Sequence, residues 1–131
     1  MQLDERSERN LIGVHPDLVQ IVRRAAELTG CPFIVTEGLR TMKRQRELVA
    51  AGASKTLRSR HLTGHAIDFA PLVAGEVTWK WPPFAIVAQA FKQAATERGV
   101  PISWGGNWRT FRDGPHIELD RKTYPAKGAP A

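Results

Sequence analysis

A chain of 131 residues, 42% hydrophobic and 24% charged, has ordinary globular composition, which excludes a fibrous or wholly disordered protein and leaves room for one core. The balance of 19 Lys+Arg against 13 Asp+Glu leaves +6, a field that attracts polyanions such as nucleic acid, lipid headgroups or wall polymers without choosing among them. The single cysteine, Cys31, excludes an intramolecular disulfide and a Cys-rich zinc site. Residues 1–131 are therefore expected to form a single domain.

Residues 1–10 are charged and lack the apolar run of a secretory signal, and no stretch approaches the roughly 20 apolar residues of a membrane span. Synthesis in the cytoplasm without stable membrane insertion is the expectation. Pro16 followed by Leu18, Ile21, Val22, Ala25 and Leu28 has the spacing of an amphipathic helix, with Gly30 at its exit. Phe33, Ile34, Val35 and Thr36 read as a buried strand between Pro32 and Gly38, with Arg40 just beyond. Residues 42–51 are good helix formers stopped by Gly52, which predicts a second, basic helix.

After a loop over residues 53–60, residues 65–70 alternate. Ala66, Asp68 and Ala70 share one face and Ile67 and Phe69 the other, so Asp68 is expected to face away from the apolar layer. Phe84, Val87, Ala88, Phe91 and Ala95 form a third helical stripe between Pro82-Pro83 and Gly99. Residues 102–104 and 116–119 read as two last strands, and the tail after Tyr124 as loosely ordered. Without regular strand-helix alternation or a Gly-rich phosphate loop, the fold class is α+β: a small antiparallel sheet with about three helices and one open face.

Two segments carry the chemistry. SRHLTGHAIDFAP, residues 59–71, puts His61 in a loop and Asp68 seven residues on; WGGNWRTFRDGPHIEL, residues 104–119, starts a strand with His116 and has Asp113 three residues earlier. Zinc catalysis asks for about three N or O ligands and an open position for water, plus a carboxylate that does not ligate. His61, Asp68 and His116 meet the first demand and Asp113 the second. Taken singly, each is more often a surface or hydrogen-bonded residue than a ligand. A helical pairing of His61 with His65 would also suit zinc, but Gly64 and the following alternation oppose a helix there.

The pattern Ser-x-His-x-x-Gly-x-Ala-x-Asp, met by Ser59, His61, Gly64, Ala66 and Asp68, resembles the zinc-peptidase family of VanY-type D-Ala-D-Ala carboxypeptidases, which cleave peptidoglycan stem peptides. Its second signature, an acid three positions before a final His ligand, is matched by Asp113 and His116, with Trp104, Gly105 and Gly106 upstream. A third element, TEGLRTMKRQ, would carry over to Arg40, Arg44 and Gln45, so the resemblance spans roughly residues 33–119. It implies a Hedgehog/DD-peptidase-like fold with zinc on the open sheet face. It also places Arg40 by the scissile carbonyl, where a guanidinium can stabilise a developing oxyanion; a plain salt bridge is the alternative for this residue.

Asp rather than Glu at position 113 is most similar to phage endolysins that act as L-alanyl-D-glutamate endopeptidases. The resemblance then implies zinc-dependent cleavage of the L-Ala–D-Glu bond by a monomer, acting on the cell wall (periplasm) after release by a separate holin-type protein. Ser59 and Trp104 are substrate-binding candidates, although Ser59 could merely hold the loop and Trp104 and Trp108 alike could line a cleft or cover the core; Glu118 shares the strand face of His116 and could orient it or be an exposed strand carboxylate. Between Arg40 and Arg60 seven Lys or Arg stand against one acid, Glu47, a solvated helix face or a rim attracting anionic wall peptides.

Three rivals remain at this point. A D,D-carboxypeptidase on the same scaffold would release D-Ala. A non-catalytic, zinc-stabilised wall-binding module would need no spare carboxylate at Asp113. A nucleic-acid binder has only the basic cluster behind it and no recognised motif, so nucleic acid is not expected as a partner.

Overall fold

The structure, a computed structural model, describes residues 1–54, 56–109 and 112–125. Its helices are α1 (Glu5–Asn10), α2 (Pro16–Leu28), α3 (Met42–Ala50) and α4 (Trp81–Arg98); its strands are β1 (Phe33–Glu37), β2 (Ala66–Val73), β3 (Glu76–Val77), β4 (Ile102–Trp104) and β5 (His116–Leu119). The fold is α+β, with four helices among the described residues where the apolar pattern shows three.

Helix α2 starts at Pro16, whose missing N–H costs nothing there, and His15 Nδ1 accepts from the Asp17 amide at 3.1 Å. It stops at Thr29, whose extended backbone leaves the helix before Gly30 is reached. Its apolar face, Leu18, Ile21, Val22, Ala25 and Ala26, is buried with Val87, Ala88, Phe91 and Ala94 of α4. Phe33, Phe69 and Phe91 meet with ring centroids 5.2 to 6.1 Å apart, tying α4 to β1 and β2. Each such side chain contributes about 1.5–3 kcal/mol on burial.

Helix α1 leaves no apolar periodicity because polar groups hold it. Asp4 caps it by accepting from the Ser7 amide at 2.8 Å; Ser7 Oγ accepts from the Val35 amide at 2.9 Å, and Asn10 Nδ2 donates to the Val35 carbonyl at 2.8 Å. The helix thereby satisfies backbone groups of the edge strand β1.

The sheet order is β1-β2-β5-β4, antiparallel throughout, with β3 paired to the far end of β2. In its register Glu37 of β1 lies opposite Asp68 of β2, and Asp68 lies opposite His116 of β5. Three ionisable residues from three strands thus form one row across the sheet. Ala66 and Ala70, on the face expected to be open, are fully buried, so the opening is confined to the neighbourhood of Asp68. Beyond Pro125, the tail expected to be loosely ordered lies outside the described residues, as does Lys55 of the basic cluster. No helix among the described residues is long and apolar enough to cross a membrane.

Candidate metal centre and active site

His61 is delivered by a short 3-10 turn, Arg60–Thr63, capped at its start by Ser59 Oγ, which accepts from the His61 amide at 3.2 Å. The turn ends at Gly64, φ 74°, where an added Cβ would run into the Gly13 carbonyl oxygen. Only glycine both takes that left-handed conformation easily and lets the turn close on residues 13–15. Gly64→Ala is expected to cost about 1–3 kcal/mol, read as a lower midpoint in urea unfolding. An unchanged midpoint would show that the turn does not depend on that close approach.

The two histidines each have one ring nitrogen fixed and the other turned inward. His61 Nδ1 donates to the Gly38 carbonyl at 2.9 Å, leaving Nε2 3.2 Å from Asp68 Oδ1. His116 Nε2 faces Glu118 Oε1 at 2.9 Å, leaving Nδ1 3.6 Å from the same Asp68 oxygen. Two donors at 2.0–2.1 Å from a tetrahedral ion stand about 3.3 Å apart. The donor atoms of His61, Asp68 and His116 all lie within 4.8 Å of one another, so their chemistry and spacing suit a zinc-sized cation. Orientation of ligand imidazoles by a carbonyl and a carboxylate is the usual support of such a centre. Glu118→Gln is accordingly expected to weaken metal affinity about 10–100-fold with the fold retained, measured by competition with a chromophoric chelator.

The electrostatics match this packing of opposite charges. Burial alone would raise the Asp68 carboxyl, but hydrogen bonds from His116 and His61 hold it far below the ordinary carboxylate range. Burial would lower His116, yet the carboxylates of Asp68 and Glu118 push it up to about 9. Glu118, which burial would raise, is brought down to about 2 by His116 and Arg121. Asp113 behaves differently: burial and the neighbouring Asp68 charge raise its carboxyl above the usual value. Its side chain makes no hydrogen bond among the described residues.

Asp113 is held through its backbone. Its amide donates to the Gly105 carbonyl at 3.0 Å and its carbonyl accepts from the His116 amide at 3.1 Å. An added Cβ on Gly105 would overlap the Asp113 carbonyl oxygen, so the Gly105 position is kept bare for this loop. Asp113, His61, Asp68 and His116 line one cavity of about 350 Å³.

Arg40 lies at its edge, 8% exposed, with Nε and Nη2 on the two Glu37 oxygens at 2.6 and 2.8 Å and Nη1 on Gln45 Oε1 at 2.7 Å. Its remaining contacts are loose: Ser59 Oγ at 3.5 Å and Asp68 Oδ2 at 3.7 Å. Gln45, fully buried, also donates to Ser54 Oγ at 2.8 Å, which pins α3 to the following loop. Arg44, by contrast, is on the surface with Glu47.

One candidate is displaced. Trp104 does not line the cavity: it is 8% exposed, its indole N–H donates to the Gly114 carbonyl at 2.7 Å, and its ring packs against Trp81. Spacing does not distinguish the two tryptophans, but Trp104 ends β4 facing inward, and it is Trp108 that reaches the cavity, its ring 5.0 Å from that of His116. Glu37 is not singled out by the sequence, and Arg60, expected with the solvated basic cluster, is buried instead. The i,i+3 spacing of Glu37 and Arg40 was the available signal for the first; a buried arginine at position 60 leaves none.

Two imidazoles and an aspartate converging beside a separate, raised carboxylate form the arrangement of a hydrolytic metal centre. The chain belongs to the phage L-alanyl-D-glutamate peptidase family, whose model matches residues 1–127. It is 37% identical over 124 residues to the L-alanyl-D-glutamate peptidase of Escherichia phage T5, covering 92% of this chain and 90% of that one. The crystal structure of the Serratia marcescens L-Ala D-Glu endopeptidase ChiX superposes with a TM-score of 0.90 at 53% identity, over 95% of this chain and 94% of that one. The vancomycin resistance D,D-dipeptidase VanXYg shares the fold at a TM-score of 0.53 and 16% identity, over 81% and 50% of the two chains. By family the chain is a peptidase.

Proposed function

We propose that this chain is a zinc-dependent endopeptidase that hydrolyses the L-Ala–D-Glu bond of bacterial peptidoglycan stem peptides. The observation that carries this reading is the convergence of His61 Nε2, Asp68 Oδ1 and His116 Nδ1 in the cavity that Asp113 also lines. These three residues hold the zinc, with His61 and His116 oriented by Gly38 and Glu118. Bound zinc supplies a Lewis acid that polarises the scissile carbonyl and acidifies water.

Asp113 takes a proton from the attacking water and returns one to the D-Glu nitrogen as the C–N bond breaks. A carboxyl raised by burial is suited to both halves of that task, because its pKa is moved toward the working pH. Arg40 offers the N–H groups that Ser59 and Asp68 engage only loosely to the carbonyl oxygen. Ser59 holds the His61 turn and faces the same space. Residues 1–131 act as one monomeric domain, made in the cytoplasm and reaching the wall after a holin-type protein opens the membrane.

Mass analysis of peptides released from purified peptidoglycan tests the reading. New C-terminal L-Ala and N-terminal D-Glu are expected. Release of D-Ala alone would assign a D,D-carboxypeptidase instead, and bound zinc without product a wall-binding module.

Metal and proton compete for His116. In the metal-free protein this imidazole is charged below about 9, so uptake of zinc releases a proton. Apparent affinity is therefore expected to rise with pH up to about 9 and to fall about tenfold per pH unit below it, for one proton displaced. Titration calorimetry in buffers of differing ionisation enthalpy reads that proton directly; a pH-independent affinity would contradict the ligand assignment.

A further inference from the structure

Among the described residues, the charges on the cavity wall are matched one against another, apart from the Asp113 carboxyl and one cation. Arg40 is committed to Glu37 and Gln45. Arg60 is buried and donates through Nη2 to the carbonyls of Leu119 and Tyr124 at 3.0 and 2.8 Å, with Nε 3.6 Å from Glu118. Arg121 donates to Glu118 at 2.9 Å. Arg58 lines the same cavity, is exposed, and has no hydrogen bond or ion pair from its side chain among the described residues.

Its backbone, however, is fixed. The Arg58 amide donates to Thr56 Oγ1 at 2.9 Å, the Thr56 carbonyl is bonded by buried Gln45, and the next residue, Ser59, caps the His61 turn. A free guanidinium carried on an anchored loop can receive an anion with little reorganisation of the chain.

We infer that Arg58 is a specificity-determining residue that binds the carboxylate carried by the residue just after the scissile bond. The inference rests on the proposed L-Ala–D-Glu cleavage. D-Glu continues the stem peptide through its γ-carboxyl, so its α-carboxylate is free and sits on the carbon that bears the scissile nitrogen. Arg58 is the wall arginine open to a negative group there, because Arg40, Arg60 and Arg121 are already engaged. A bidentate guanidinium–carboxylate pair distinguishes that carboxylate from the neutral α-carboxamide of the same shape.

The test compares two stem peptides that differ only in this group, D-Glu α-carboxylate against α-carboxamide, using the zinc-loaded full chain. The expected result is a kcat/KM at least about tenfold higher for the carboxylate, a preference that shrinks as salt rises. In Arg58→Gln the carboxylate peptide is expected to fall to the level of the carboxamide, with Arg58→Lys between the two; in Arg121→Gln the ratio stays that of the wild type. Equal cleavage of both peptides by the wild type, or a preference that survives Arg58→Gln, overturns the inference and leaves the proposed function standing. Cleavage of neither peptide overturns the proposed function and the inference together. Because the first comparison uses the unaltered chain, it is decided whatever the stability of the variants.

Discussion

Asp113→Ala is expected to lower kcat/KM by about 10²–10⁴-fold while zinc content and unfolding midpoint stay at wild-type values. The size follows from the work assigned to the carboxylate, which accepts one proton during attack and returns one to the leaving nitrogen. Retention of metal follows from its position. It shares the cavity with His61, Asp68 and His116, yet the triangle of ligand atoms closes without it. Among the described residues its side chain makes no hydrogen bond, so truncation breaks none there, and relief of a buried carboxyl slightly favours the folded state. Asp113→Asn separates charge from shape and should be nearly as inactive. Zinc loss in either variant would move Asp113 into the ligand set; activity within tenfold of wild type would remove it from proton transfer.

Asp68→Ala and His116→Ala are expected to abolish zinc binding at equimolar metal and with it all measurable turnover. Removing a supporting partner of a ligand costs about 10–100-fold in affinity, so removing a ligand costs more. Asp68 has the larger effect because its Oδ1 faces both imidazoles. In Asp68→Ala the protonated His116 keeps Glu118 but loses its other carboxylate, so the buried charge is less compensated and the metal-free protein is destabilised as well. His116→Ala leaves Glu118 with Arg121, a milder loss. Metal analysis after gel filtration, with urea unfolding in chelator, separates the two effects; stoichiometric zinc in either variant would refute the assignment.

Much of this molecule is legible in one dimension, and what is not follows a pattern. Helices α2 and α4 and strands β1, β4 and β5 were readable because each buries an apolar face or a short apolar run. Helix α1 was not, since Asp4, Ser7 and Asn10 hold it by polar bonds to its own amides and to β1. His61, Asp68, His116 and Asp113 could be selected as donors of suitable type, but spacing alone does not show that Asp68 and His116 are register partners on neighbouring strands. That is a property of the sheet. The strand alternation that places Glu118 on the face of His116 pointed toward their 2.9 Å contact, whereas the Gly38 carbonyl on His61 comes from a backbone turn that no residue type announces. Trp104 and Trp108 differ only in which side of a bend they fall on, and composition is silent on that.

Arg40 illustrates how a structure narrows a role. Its guanidinium is clamped by Glu37 and Gln45, so a bare ion pair and a free oxyanion binder are both incomplete descriptions. The clamp fixes the orientation of the two loosely engaged N–H groups, and such preorganisation is what makes a hydrogen-bond donor effective in a transition state.

The central claim is that hydrolysis of the L-Ala–D-Glu bond depends on an ion held by His61, Asp68 and His116. Its most direct test is to strip the protein with chelator, titrate zinc back, and follow cleavage of a defined stem peptide by the appearance of N-terminal D-Glu. Activity should be absent without metal and rise linearly to a plateau at one zinc per chain. Undiminished cleavage by the stripped protein, or reconstitution that leaves the bond intact, would contradict the account.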